Sequence, residues 1–163
     1  MAIGANIIVS SNPRGYFREG IIQDTSAPGT IMQLQYNQSP AAGNMFNWLA
    51  GNLFNDGLKM LPVILLEDRE QGFLATTAYV SGTKCFLYGA IPFDELNLLA
   101  GEAGGTTNYY HVGDRFFIDA ENGLLVPETG TSTFDDCVAV CLENFSTVGQ
   151  VNSFLVDFFW AGA

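Results

Sequence analysis

Short apolar runs of strand length recur along this 163-residue chain, and each is bounded by residues that favour turns. The clearest instance is Asn122-Gly123, the strongest short hairpin signal, which lies between apolar residues 116–118 and 124–126. Further strands are predicted over residues 31–36, 60–66, 73–80, 84–88, 115–119, 137–142 and 151–160. The pattern predicts a chain of short strands joined by tight turns.

The predicted fold class is therefore mostly β: a small β-barrel or sandwich with an extended N-terminal arm and short helical or irregular insertions. Residues 1–30 are predicted to form the arm, because proline and glycine interrupt their scattered apolar groups, and residues 31–163 form a single β-rich domain. Residues 39–56 fit either a short helix or a packed loop. Residues 94–100 fit either a helical turn or an irregular strand.

The charge balance excludes two classes of partner. The chain carries six Lys and Arg residues against 17 Asp and Glu residues, which gives a formal net charge of −11. Such a surface repels nucleic-acid phosphates and anionic lipids, and no apolar run approaches the roughly 18 residues of a membrane helix. We expect neither nucleic-acid nor membrane binding. The charged fraction of only 14% favours a surface partly covered by partner subunits, since interface cores are depleted in charge.

The cysteines Cys85, Cys137 and Cys141 are too few, and odd in number, for a disulfide framework. In a strand over residues 137–142, Cys137 and Cys141 would lie about 13 Å apart, beyond the reach of a disulfide. We expect small buried thiols, which is consistent with synthesis in a reducing compartment.

Residue types that carry catalysis are sparse. His111 is the single histidine and no Cys-x-x-Cys pair occurs, so the usual zinc ligand sets are incomplete. No Gly-x-Ser-x-Gly nucleophile motif is present, and adjacent acids such as Glu67-Asp68 are typical of solvated turns. The sequence predicts no enzyme activity, no catalytic residue, no metal site and no cofactor.

Several motifs occur in an order that is similar to one protein family. They are Pro28-Gly29-Thr30-Ile31-Met32, Pro62-Val63-Ile64-Leu65-Leu66-Glu67-Asp68, Ala78-Tyr79-Val80-Ser81-Gly82, Pro92-Phe93-Asp94-Glu95-Leu96, the run from Val112 to Leu124, and Val138-Ala139-Val140-Cys141-Leu142-Glu143. Over residues 28–160 the chain resembles the head decoration (capsid cement) proteins of tailed bacteriophages, the group that includes the lambda-type decoration protein. Residues 39–56, which contain Trp48, depart from the pattern.

The resemblance implies a non-catalytic virion structural protein on the exterior of a phage capsid. Its partners would be the major capsid protein and further copies of itself, as a homotrimer that fastens neighbouring capsid subunits and stabilises the shell. Two alternatives are another phage structural component, such as a head fibre or tail protein, and a carbohydrate-binding β-module. The excess of Phe over Trp and Tyr disfavours the carbohydrate-binding module, because sugar platforms use the polar handles of Trp and Tyr.

On this resemblance the N-terminal arm is the predicted capsid-binding element. It would add a strand to a capsid sheet, with its apolar residues in pockets and its arginines against capsid acids. The residues assigned to this contact are Ile7, Ile8, Val9, Arg14, Arg18, Ile21 and Ile22. The alternative is that the arm folds back onto its own barrel.

Overall fold

The structure, a computed structural model, describes residues 8–10, 16–34, 47–50, 63–68, 70–72, 77–89, 94–100, 108–119, 122–127, 137–147 and 152–158. Strands dominate these residues, which contain no helix. The strands are β1 (Ile8–Ser10), β2 (Tyr16–Ile22), β3 (Ile31–Leu34), β4 (Asn47–Ala50), β5 (Val63–Leu65), β6 (Lys84–Gly89), β7 (Asp94–Ala100), β8 (Asn108–Tyr110), β9 (Arg115–Ile118), β10 (Leu125–Pro127), β11 (Ala139–Cys141), β12 (Phe145–Thr147) and β13 (Asn152–Phe158).

The first half of the chain forms a closed five-stranded barrel in the order β2-β4-β3-β5-β6. The ring closes where β2 pairs antiparallel with β6, from Tyr16↔Gly89 to Ile21↔Lys84. The pairing of β2 with β4 is parallel, and the remaining pairs are antiparallel. The buried cluster of this barrel consists of Ile22, Met32, Trp48, Val63, Leu65, Tyr79, Cys85 and Leu87.

The second half forms a six-stranded sheet in the order β1-β7-β10-β9-β11-β13. This sheet curls into a half-barrel, because β7 also pairs along its whole length with β13, from Asn152↔Ala100 to Phe158↔Asp94. The pairing of β10 with β7 is parallel, and β1 joins β7 through Ile8↔Leu96. β8 and β12 pair as a separate two-stranded sheet.

The hairpin between β9 and β10 is confirmed at Asn122-Gly123. The amide of Asp119 donates to the carbonyl of Leu124 at 2.8 Å, and the amide of Gly123 donates back to Asp119 at 3.0 Å. Gly123 has φ of 68°, a value that glycine adopts without strain. The side-chain oxygen of Asn122 accepts from the amide of Leu124, which adds a further hydrogen bond within the turn.

The two halves share one hydrophobic core. Strand alternation turns Met32, Val63 and Leu87 into the barrel, and it turns their neighbours Ile31, Ile64 and Tyr88 outward. These three outward side chains are at most 1% exposed, because they pack against side chains of the half-barrel. The half-barrel contributes Leu96, Leu98, Ala100, Tyr110, Phe116, Leu125, Val138, Ala139 and Cys141 to the same cluster.

Hydrogen bonds reinforce this shared core. The amide of Ile31 donates to the carbonyl of Gly123 at 2.9 Å, and the amide of Leu99 donates to Gly29 at 3.2 Å. The hydroxyl of Tyr88 donates to Oδ2 of Asp94 at 2.7 Å, and both side chains are buried. The carboxylate of Asp94 therefore ties the barrel to the first residue of β7.

The predicted fold class, mostly β with a small barrel, is confirmed. Residues 94–100 form the strand β7 and not a helical turn, because β13 pairs with every residue of the segment. Residues 47–50, inside the segment 39–56, form β4 and are neither helix nor loop, because they pair with both β2 and β3. The other residues of 39–56 lie outside the described part of the chain.

The predicted strand over residues 73–80 is only partly described, since residues 73–76 lie outside the described part. Residues 77–80 contain a single bridge, Tyr79↔Ser26, in place of a strand. Strands predicted over 60–66, 73–80 and 84–88 would pair in chain order. Instead β5 pairs directly with β6, so no strand lies between these two in the barrel.

We predict that Tyr88→Phe lowers the free energy of unfolding by about 1–3 kcal/mol, because it removes a hydrogen bond to a buried carboxylate. Denaturant unfolding followed by tryptophan fluorescence measures the change. Tyr109→Phe is the matched control, since Tyr109 is 74% exposed, and it should change stability by less than about 0.5 kcal/mol. Equal effects of the two variants would show that the bond to Asp94 does not stabilise the fold.

Candidate partner-binding surfaces

The structure distributes the predicted arm residues over both sheets. Ile8 and Val9 lie in β1, which pairs with β7 of the half-barrel. Ile7 and Arg14 lie outside the described residues. Both described strands of residues 1–30, β1 and β2, are therefore paired within the chain.

The remaining arm residues lie in β2, in three different environments. Ile22 is fully buried inside the barrel, so its side chain serves the protein's own core and is not accessible to a partner. Ile21 is half-buried, whereas Arg18 is exposed. Of the predicted capsid-binding side chains in this strand, Arg18 is the most accessible.

Phe17 is an exposed aromatic residue that the sequence reasoning did not select. Its side chain is 68% exposed, and its ring lies 5.1 Å from that of Tyr88, tilted by 48°. The signal that could have found it is alternation: when Ile22 points into a barrel, Phe17 points outward. Phe17 and Arg18 together place an apolar ring and a cation on accessible positions at the start of β2.

An ion pair lies further along the outer face of β2. Nζ of Lys84 lies 3.0 Å from the carboxylate of Glu19 and 5.3 Å from the centre of the Phe86 ring. Both charged side chains are about half exposed, so the pair contributes no more than about 1 kcal/mol to stability. This part of the outer face is electrically balanced, and Arg18, which pairs with Leu87, projects to the other face of β2.

A second accessible surface lies where β8 turns into β9. Tyr109 is 74% exposed and Val112 is 62% exposed, and neither was selected by the sequence reasoning. Hydrogen bonds fix the turn: the amide of Asp114 donates to the carbonyl of His111, and a carboxylate oxygen of Asp114 accepts from the amide of His111. Gly113 has φ of 96°, which only glycine adopts easily.

Hydrogen bonds to residues of the 141–144 segment also hold this turn. The amide of Val112 donates to the side-chain oxygen of Asn144, and the amide of Gly113 donates to the carbonyl of Cys141 at 2.9 Å. The ring of Tyr110, almost fully buried, stacks on Phe145 with centroids 4.6 Å apart. Tyr109 and Val112 are thus exposed on a turn whose backbone is well fixed.

Val80 is a fourth exposed apolar residue, on the turn before β6. Its side chain is 58% exposed, and its carbonyl accepts from the amide of Thr83. Gly82 occupies the corresponding position to Gly113, with φ of 84°. This turn has the same backbone hydrogen bond as the Val112 turn, with Val80 in the position of His111, and Val80 serves as a control for Val112 because its exposure is similar.

The three cysteines lie in the hydrophobic interior. Cys85, Cys137 and Cys141 are buried and free, as predicted. Burial raises the pKa of the Cys85 thiol from 9.0 to about 12, and burial also raises the pKa of Cys141. A buried, protonated thiol is a poor nucleophile, so these side chains act as core residues.

The ionisable groups of the described residues form no recognisable metal site. His111 is exposed, and its Nδ1 lies 3.8 Å from the carboxylate of Asp114. Among residues that the structure describes, no three His, Cys, Asp or Glu side chains are grouped so that they could hold a metal ion. Within the same residues, no helix is long and apolar enough to cross a membrane.

Comparisons with known proteins do not assign the chain to a family. No protein family matches it, and no curated protein sequence matches it.

We predict that stability falls as the pH rises from about 9 to 12. In this range the unfolded chain loses the Cys85 proton while the native state keeps it, so unfolding becomes more favourable by up to about 1.4 kcal/mol per pH unit. Denaturant titrations at pH 8, 9, 10 and 11 measure the slope.

Cys85→Ala is the control for this titration. Tyr79 also has a raised pKa, chiefly through burial, and its contribution has the same sign above pH 10. Cys85→Ala removes only the thiol, so the difference between the two pH profiles isolates Cys85. Identical slopes for the two proteins, or rapid reaction of native thiols with a disulfide reagent at pH 8, would contradict the assignment.

Proposed function

We propose that this protein is a non-catalytic virion structural protein that binds the outer surface of a phage capsid and stabilises the shell. The observation that carries the proposal is a closed, well-packed β-barrel that presents an exposed aromatic ring and a cation, Phe17 and Arg18, at the start of one strand. Aromatic residues and arginine are the side chains most enriched at protein interfaces.

The order of sequence motifs supports the same function. The motifs shared with head decoration proteins run from Pro28-Gly29 to Glu143, and several of them fall on elements that build the common core. Ile31 and Ile64 belong to two of these motifs and pack into the half-barrel, and Asp94 of a third accepts the Tyr88 hydrogen bond. The motif order therefore coincides with the residues that hold the two halves together.

Attachment through the start of β2 explains why this strand combines two roles. Its inward side chain Ile22 closes the barrel, while Phe17 on the outer face and Arg18 on the opposite face, paired with Leu87, both remain accessible near the end of the strand. A partner would then meet a rigid strand, so binding would order few additional residues. Capsid acids would face Arg18, and an apolar capsid side chain would cover Phe17.

The test is cosedimentation with expanded capsids assembled from the major capsid protein of the same phage. We expect the wild-type protein to bind and to raise the temperature at which the capsids disrupt. Phe17→Ser and Arg18→Glu should each weaken binding about tenfold or more, because each removes an accessible contact at the proposed interface. Deleting the predicted arm, residues 1–30, would not test the contact, because it also removes β2 and with it a strand of the barrel.

Val80→Ser is the control for Phe17→Ser, because Val80 is also an exposed apolar residue of the first half of the chain. It should bind capsids as the wild type does. Circular dichroism and thermal unfolding verify that all variants fold. Failure of the wild-type protein to bind capsids, or its binding to tails instead, would overturn the proposed function.

We also expect self-association into a homotrimer. The low charged fraction of 14% and the exposed apolar residues favour subunit contacts, and closed barrel edges direct these contacts to side-chain faces and loops. Light scattering coupled to size exclusion should give three times the chain mass of 17.6 kDa, either in solution or after release from capsids. A monomer under both conditions would contradict this expectation.

A further inference from the structure

The Tyr109–Val112 surface, which we define as Tyr109 and Val112 with the flanking acids Asp114 and Glu143, has the composition of a binding site. Tyr109 and Val112 are its apolar part, and both are more than 60% exposed. The carboxylate of Asp114 is 44% exposed, and Glu143 is exposed. Apolar side chains next to acidic ones favour a partner that presents both an apolar group and a positive charge.

The turn is built to keep these side chains in place. Asn144, next to Glu143, accepts from the amide of Val112 at 3.1 Å, which links the two turns of this surface. Tyr110, adjacent to Tyr109, lies in the core between Phe116 and Phe145. A partner therefore meets apolar groups whose backbone is already ordered, and binding loses little conformational entropy.

The charge around the surface selects the kind of partner. Residues 71–163 contain eleven acidic and two basic residues. Arg115, the basic residue nearest in sequence, is half-buried, whereas Glu143 is exposed, and both side chains also interact within the chain. The net charge of −11 disfavours a second copy of this chain at the same surface, since like charges would be brought together.

We propose that the Tyr109–Val112 surface binds a basic, apolar segment of a second protein. An apolar side chain of that segment packs on Tyr109 and Val112, and adjacent lysine or arginine side chains pair with Glu143 and Asp114. The segment belongs to the capsid protein if the proposed function holds, and in that respect alone this assignment rests on the proposed function. The surface is formed by β8, the turn before β9 and the turn after β11, whereas Phe17 lies in β2.

The first test does not depend on capsids. The ¹⁵N-labelled protein is titrated with the blocked peptide acetyl-Lys-Leu-Lys-Leu-Lys-amide and, separately, with its counterpart in which glutamate replaces each lysine. We expect amide shifts concentrated at residues 109–113 and 143–144 with the basic peptide and none with the acidic one. Scattered shifts, or equal shifts with both peptides, would overturn the proposal.

Two matched pairs of variants measure separately how much the apolar and the acidic side chains contribute to binding of the basic peptide. Val112→Ser should weaken basic-peptide binding about fivefold or more, whereas Val80→Ser, on the similar turn, should not change it. Glu143→Lys should weaken binding by a similar factor, whereas Glu70→Lys, at another exposed turn position, should not. Thermal unfolding of each variant verifies the fold, and equal losses within either pair would overturn the assignment.

Capsid cosedimentation then identifies the source of the segment. Wild-type binding with a loss of at least tenfold in Val112→Ser, but not in Val80→Ser, assigns the segment to the capsid. If wild-type protein binds capsids and Val112→Ser binds equally well, the capsid assignment of this surface is wrong. If wild-type protein does not bind capsids, the proposed function is wrong, while the peptide titration still decides whether the surface prefers basic segments.

Discussion

The packing of the barrel's outer face into the half-barrel is the contact on which the rest of the structure depends. Ile31, Ile64 and Tyr88 on the outside of the barrel form one buried cluster with the apolar side chains of the half-barrel, so each sheet covers apolar groups of the other. Burial of such side chains contributes about 1.5–3 kcal/mol each. The arrangement also explains why all three residues of β5 are buried: one face lines the barrel, and the other lines the half-barrel.

The same packing determines which side chains remain accessible. Tyr88 is covered by the half-barrel, but Phe17, paired with it across β2 and β6, lies at the margin of the covered area and stays exposed. Tyr109 and Val112 lie on the outer side of the β8–β9 turn, while Tyr110 takes the inner side. The accessible apolar groups are thus the outward members of segments whose inward members build the core.

Turn chemistry alone predicted the Asn122-Gly123 hairpin, and the number and spacing of the cysteines predicted buried thiols. Pairing between strands that lie far apart in the sequence was not predicted. Residues 16–22 were predicted to be part of an extended arm because their pairing partner, β6, lies more than sixty residues later in the chain. Among candidate contact residues, Arg18 was found by its charge. Phe17 and Val112 were missed because exposure depends on which face another sheet covers.

Because β2 pairs with β6, the order of synthesis determines when the barrel can close and when its outer face can be covered. The barrel cannot close until residue 89 has left the ribosome, and at that moment the strands that cover Ile31, Ile64 and Tyr88 have not yet been made. A newly closed barrel therefore carries an uncovered apolar face until β7, β9 and β11 arrive. The growing chain is most prone to aggregate in this interval, so slower translation after residue 89 would lengthen its exposure to chaperones and to other nascent chains.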